Sequence, residues 1–475
     1  MAFKKWIDAG AHFPPEDDRP LREFLGEETI LRTIEDDLRT LPDDAVPFTR
    51  YFSLAHLWND VSGKEPTTDE DLRFVRAGLS KLVNSLSSKS RIVKPRIVDA
   101  RYQTVLAIDM RDYGWDDWHW NEVLKLYPYG LKVSSQTATN IYRVTGTRVP
   151  YLRADWFLAM ASRPPLYHTL LNIPQNAKAL ETSLGVNVQD NFENGQLARA
   201  AFQKSGVSQQ NRLLERHDTT RGGRYYWKSY DVKPGVGEKG DFTRRPLGPV
   251  FESVEGRQLA AFEHDGGEII YGLPNGLQAY MLVTGQDERI NEGPPDVVFD
   301  PNGHGGSVFI TNGVSCMGCH KHGMIWWEKD EIRPLYESKR GQKLGDKVLE
   351  LFPPDEQMQQ LVRKDRDHFM EALAEATATF LQAGEDATKP IEEFPDPITR
   401  VSNRYLLDLT VDAAARELGQ ADASAIRAMS QLRVFKDLGL GNWANDGGEI
   451  SRENWERAYG KVARELNIGI PIRIR

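Results

Sequence analysis

Two cysteines occur in this chain of 475 residues, and a histidine directly follows the second: Cys316-Met317-Gly318-Cys319-His320. Three chemistries use such a set. Two thiols at this spacing reach the two vinyl groups of one porphyrin as thioethers, and the next imidazole comes up beneath the iron. A zinc site would draw on Cys316, Cys319, His320 and His322, but no second cysteine pair exists to complete the usual two-pair arrangement. A dithiol redox pair would open a helix after a strand, whereas Gly313-Val314-Ser315 follows a long loop. The bland reading is a pair of small buried core residues. With both thiols in one pentapeptide, there is no disulfide framework.

The pentapeptide resembles the attachment motif of the c-type cytochromes, a likeness confined to the motif and its immediate helix. The resemblance implies one covalently attached haem c, held through Cys316 and Cys319, with His320 as axial iron ligand. It further implies electron transfer with a redox partner protein, in a periplasmic or otherwise exported setting where haem c is attached. The N-terminal MAFKKWIDAGAHFPP lacks the apolar run of a secretory signal, so that expectation assumes a leader already removed.

The family's usual sixth ligand is a methionine well downstream, after a loop. Met358, behind the Phe352-Pro353-Pro354 break, fits that place, although it also begins an apolar stripe with Leu361 and Val362. If one helix carries both, Met324 lies four residues from His320 and stacks beside it rather than across the ring. His322 is expected in solvent. His304 in the string Gly-His-Gly-Gly, His368, Met370 and Met429 are the other candidates, and an open or water-bound iron is the alternative. An open face would suit a peroxidase-like haem oxidoreductase or a haem-based sensing module. Several hundred residues beyond a small helical wrapper make the enzymatic alternative a serious one.

The elements that must position these residues belong to an ordinary globular composition, 40% hydrophobic and 27% charged. Sixty basic against sixty-nine acidic residues, net charge −9, argue against a nucleic-acid surface. No stretch is apolar enough for a transmembrane span. Residues 1–45 carry twelve acidic and six basic side chains, which favours a basic partner.

Apolar periodicity predicts one helix within 1–45, a helix over 68–86 entered through Thr68 and Asp71, and helices at 117–126, 154–161 and 191–204. A strand is expected within 91–110. Asn275-Gly276 supplies the turn of a hairpin spanning 268–282. A long helix is expected over 355–382, and Pro390, Pro395 and Pro397 mark a linker. The resulting fold class is α+β, mainly helical. Its expected divisions are an acidic segment 1–45, an α+β domain 46–240, a small antiparallel β region 241–310, a haem-binding helical segment 311–390, and a linker with a helical unit 391–475.

Four other strings are explained without catalysis. Gly235 to Gly240 matches a dinucleotide fingerprint, but Asp241 to Pro246 cannot open the required helix. In residues 442–456, a calcium loop would need a carboxylate where Trp443 stands, and Ser451 is better read as an N-cap. His264-Asp265-Gly266-Gly267-Glu268 is accounted for by turn chemistry before the hairpin. Arg212, Glu215, Arg216, His217 and Asp218 read as an ion-paired face, with an arginine available to a haem propionate.

Overall fold

The computed structural model describes residues 22–472, apart from 62–64, 204–210, 222–223, 233–240, 250–252, 255–256, 259–261, 295–297 and 328. The first 21 residues of the acidic head and the Gly235 to Gly240 string lie outside the described residues.

Near the N-terminus, α1 (Glu27–Leu38) buries Ile30, Leu31, Ile34 and Leu38 along one face, as its 3.6-residue periodicity requires. It packs over a four-stranded sheet of β1 (Thr49–Ser53), β2 (Arg96–Ile97), β3 (Val105–Asp109) and β4 (Leu152–Arg153), ordered β2-β3-β1-β4. Between β1 and β2 runs α2 (Asp69–Ser85). Thr68 accepts from the Asp71 N–H while the Asp71 carboxylate accepts from the Thr68 N–H, satisfying two of the amides a helix start leaves free. Directly after β4, α3 (Ala154–Ala161) is buried on nearly every side.

The second sheet is antiparallel and six-stranded. It comprises β5 (Leu197–Phe202), β6 (Asn211–His217), β7 (Tyr226–Val232), β8 (Gly266–Gly272), β9 (Gln278–Thr284) and β10 (Arg289–Ile290), in the order β10-β9-β8-β7-β6-β5. Asn275 and Gly276, with φ of +95° at the glycine, turn β8 into β9. This sheet takes strands from both sides of residue 240. The helix expected at 191–204 is instead a short helix, Val188–Glu193, followed by β5. Arg199 stands opposite Glu215 across the β5–β6 ladder, and the two fully buried side chains form an ion pair at 2.5 Å. That pairing overrides the helix propensity of Leu-Ala-Arg-Ala-Ala.

The motif sits on α4 (Val314–Cys319), behind which come the 27-residue α5 (Asp355–Leu381), α6 (Pro397–Tyr405) and, last, α7 (Arg452–Glu465). Asp365 of α5 takes Arg216 of β6 at 2.8 and 3.0 Å and the Trp227 indole N–H of β7 at 2.8 Å, so the long helix is pinned to the sheet. Helix α5 also packs on α2, and α6 packs on α2, α3 and α4. Ser451 caps α7 through the Asn454 N–H. The architecture is α+β and mainly helical. Among the described residues, no helix is long and apolar enough to cross a membrane.

Gly313 starts α4 at φ +89°, and a Cβ there would lie 2.4 Å from the Ser162 carbonyl oxygen and 2.9 Å from the Tyr167 ring. Gly313→Ala is therefore expected to cost about 2–4 kcal/mol in denaturant unfolding. Gly341, at φ +86° with open space around it, is the control. Gly341→Ala meets the dihedral penalty alone, about 1 kcal/mol. Equal losses at the two sites would remove the close approach from the explanation.

Candidate functional site

Helix α4 is short, and its ends are fixed by the chain around it. The Ser315 N–H donates to the Thr311 carbonyl at 3.1 Å, and the Thr311 N–H donates to Ser315 Oγ at 3.0 Å. Asn312 donates its side-chain N–H to His168 Nε2 at 2.6 Å. The helix stops at His320, and Gly323, at φ +84°, turns the chain away against Phe369. Met324 is thus not on the helix of His320, contrary to the expectation of one continuous turn. The left-handed glycine frees it to line the same cavity as His320, where it is 6% exposed.

His320 is oriented through Nδ1. Nδ1 lies 3.2 Å from the Gly323 carbonyl oxygen, which can only accept, so Nδ1 carries the proton and donates. Nε2 is then the nitrogen not taken by the backbone: it has a lone pair in the neutral ring and donates toward Glu268 in the charged one. Nε2 faces Glu268 Oε2 at 3.6 Å. The Tyr280 ring lies nearly parallel to the imidazole with centroids 6.1 Å apart.

Glu268 comes from β8, whose close approach to β7 requires glycine just before it. A Cβ on Gly267 would sit 1.9 Å from the Ser229 carbonyl oxygen, and the Glu268 N–H donates to Ser229 Oγ at 2.8 Å. Sequence reasoning set the His264 to Glu268 string aside as turn chemistry, and the structure carries its last residue to the motif. Burial works to raise the Glu268 carboxyl, but His320, Arg212 and the Cys316 thiol hold it down at about 2.

Both thiols are pushed the other way. Cys316 is 2% exposed, and burial together with the Glu268 charge raises it well above an ordinary thiol. Burial and the carboxylates Glu268 and Asp300 push Cys319 up to about 12. Dithiol redox centres depend on a thiolate made available by a lowered pKa, so these surroundings oppose that chemistry.

Cys316, Cys319 and His320 open onto a cavity of about 540 Å³. Its walls include Phe202, Leu214, Trp227, Ile270, Ile310 and the Trp326-Trp327 pair. Trp327 is stacked between Trp326 (4.6 Å) and Phe202 (5.7 Å), with Trp227 edge-on at 6.3 Å. Arg212, Lys228 and Lys329 also line it. Arg212 is paired with Asp231 at 2.6 Å and Lys228 with Asp287 at 2.7 Å. The Trp327 indole N–H is buried without a hydrogen-bond partner among the described residues. Two thiols, an imidazole whose Nε2 is not taken by the backbone, apolar and aromatic walls and Lys329 suit an amphipathic tetrapyrrole with acidic substituents.

The other candidates lie elsewhere. Met358 is 1% exposed within the apolar core with Val362 and Phe369, and is not among the residues lining the cavity. Met358→Leu is therefore expected to cost less than about 1.5 kcal/mol and to leave the visible spectrum of a haem-loaded chain unchanged. A change in that spectrum would return Met358 to the iron. His322 is half-buried rather than in solvent, its Nε2 buried with no hydrogen-bond partner among the described residues, and burial lowers its pKa. His368, Met370 and Met429 are not among the cavity-lining residues. Among the described residues, the ligand atoms of Cys316, Cys319, His320 and His322 do not converge as zinc would require. The group that does converge is Asp300, His304 and Cys319. Comparison with family models, curated proteins and solved structures finds no match to this chain.

Proposed function

We propose that this chain binds one haem c through Cys316 and Cys319, with His320 as axial ligand, and that it serves in electron transfer. The observation that carries the reading is the cavity of about 540 Å³ beside the pentapeptide, lined by Cys316, Cys319 and His320 together. The haem would supply the one-electron couple. The chain's own part is to orient and insulate. The Gly323 carbonyl orients the imidazole, Phe202, Trp227, Trp326 and Trp327 keep water from the walls, and Lys329 offers a cationic partner to acidic substituents. Glu268 places a negative charge 3.6 Å from the coordinating nitrogen.

The acidic balance, net −9, favours a basic redox partner, and haem attachment implies an exported, periplasmic setting. Glu268 is also the observation behind a second reading, a peroxidase-like oxidoreductase, because it brings an ionised carboxylate able to accept a proton to the cavity wall.

The test is a pyridine haemochrome spectrum of the chain produced with haem c maturation machinery. We expect one covalent haem per chain in the wild type and none in a Cys316→Ala, Cys319→Ala double variant. Equal haem in both, or none in either, would end the proposal. A reduced form indifferent to carbon monoxide favours electron transfer, whereas ready carbon monoxide binding with peroxide turnover favours the second reading.

A further inference from the structure

The loop Asp300 to Gly306, which carries His304 sixteen residues before His320, lies directly on the motif helix, and none of its residues lines the cavity. A Cβ on Gly318 would meet His304 ring and side-chain carbons at 2.5–2.6 Å, so the imidazole occupies the space that glycine leaves. A Cβ on Gly305 would lie 2.8 Å from Ser315 Oγ, and Asn403 of α6 donates to the Gly303 carbonyl at 3.2 Å, clamping the loop from the other side. Asp300 is fully buried. Its carboxylate accepts from the backbone N–H groups of Asn302 (3.0 Å) and His304 (2.7 Å). The same carboxylate lies 3.0 and 3.1 Å from His304 Nδ1, and Cys319 Sγ lies 3.6 Å from that nitrogen.

Two of the three separations, nitrogen to oxygen and nitrogen to sulfur, lie within about 0.3 Å of the edges of a coordination tetrahedron. Bonds of about 2.0–2.3 Å at the tetrahedral angle put nitrogen and oxygen roughly 3.3 Å apart and nitrogen and sulfur roughly 3.5 Å apart. The three ligand atoms lie within 4.8 Å of one another, and Cys319 and His304 are partly open to solvent. One carboxylate, one imidazole and one thiolate form a mixed donor set for a borderline-soft divalent cation, with a fourth position left for water.

We propose that Asp300, His304 and Cys319 bind a zinc-class divalent cation in the chain whose thiols are free. The site does not depend on haem binding, but it uses the same sulfur. A thioether at Cys319 removes the thiolate, so cation and covalent haem are alternative fates of Cys319.

The test uses the full chain, reduced and free of haem, titrated with cobalt(II) and zinc(II). We expect one cobalt per chain with a thiolate-to-metal charge-transfer absorption, displaced by zinc. Cys319→Ser should abolish that absorption, and His304→Gln and Asp300→Asn should weaken binding about tenfold or more. Cys316→Ser and His320→Ala should stay within about twofold of wild type, since neither residue belongs to the site. Because Asp300 is buried, its variant counts only if circular dichroism shows a folded chain, and His304→Gln, at a partly exposed ring, decides otherwise. Absence of the absorption in the wild type, wild-type affinity in His304→Gln, or loss of binding in Cys316→Ser or His320→Ala would overturn the assignment. Haemochrome failure would sink the haem reading and leave this result standing, and the reverse holds equally.

Discussion

Replacing Glu417 by alanine is expected to destabilise the protein by about 3–5 kcal/mol, the penalty for stripping the partner from buried cations. Glu417 receives Arg153 at 2.5 Å, Arg452 at 2.6 Å and the Trp455 indole N–H at 2.6 Å, and all three carboxylate and guanidinium groups are less than a tenth exposed. Arg153 leads from β4 into α3, while Arg452 and Trp455 open α7, so one carboxylate joins the N-terminal sheet to the C-terminal helices. Asp155, His56 and the Tyr129 and Tyr405 rings complete the cluster, with His56 Nε2 2.9 Å from Asp155 and each guanidinium stacked about 4 Å over a tyrosine. A neighbouring cleft of about 490 Å³ is lined by Arg400, Arg404 and Arg452, whose charges are spent on Asp71, Glu70 and Glu417.

The same residue sets a pH dependence. Burial raises the Glu417 carboxyl, but Arg153 and Arg452 outweigh it and hold it at about 2, below its ordinary value of 4.5. A folded-state pKa below the unfolded one gives stability that is complete above the unfolded value and is lost as pH falls through the folded one. Wild-type stability should therefore decline between about pH 5 and pH 2. Glu417→Gln should start lower and show a shallower decline over the same window. Parallel wild-type and Glu417→Gln curves in a series of thermal melts would show that this carboxylate is not the group responsible.

Where local rules and tertiary contacts agreed, the elements were legible in the chain. The Thr68–Asp71 box marked the start of α2, and Asn275-Gly276 marked the turn from β8 into β9. The failures have physical causes. Residues 197–202 are good helix formers, and only the burial of Arg199 against Glu215, sixteen positions away, makes them a strand. The helix of the motif ends at His320 because Gly323 leaves it in a left-handed conformation, which altered the expected place of Met324. The pentapeptide pointed to Cys316, Cys319 and His320 because its chemistry is local. Glu268 and Asp300 reach it through the register of β8 and the path of a glycine-rich loop, and no spacing rule connects them to a histidine some fifty or twenty residues further on. The Asp-Gly-Gly before Glu268 did carry a signal, but it was the close packing of two strands as much as a turn.

That misplaced carboxylate supplies the second large expected effect. On the haem reading, Glu268→Gln should raise the reduction potential by about 60–120 mV, with the haem content of the chain unchanged. A negative charge beside the axial imidazole favours the oxidised, more positive iron, so removing it favours the reduced form. One unit charge at roughly 5 Å in a medium of effective dielectric near 20 is worth about 3 kcal/mol, and partial exposure reduces that to about 1.4–2.8. For a one-electron couple, each 1.4 kcal/mol corresponds to about 59 mV. Glu268→Asp keeps the charge on a shorter arm and should fall between the two. A purely structural role for Glu268 would affect folding yield and thermal midpoint while leaving the potential of the surviving haem protein in place. The decisive measurement is a spectroscopic redox titration of the three proteins at one pH. A shift of the same size in Glu268→Asp as in Glu268→Gln would trace the effect to altered packing around His320 instead of to charge.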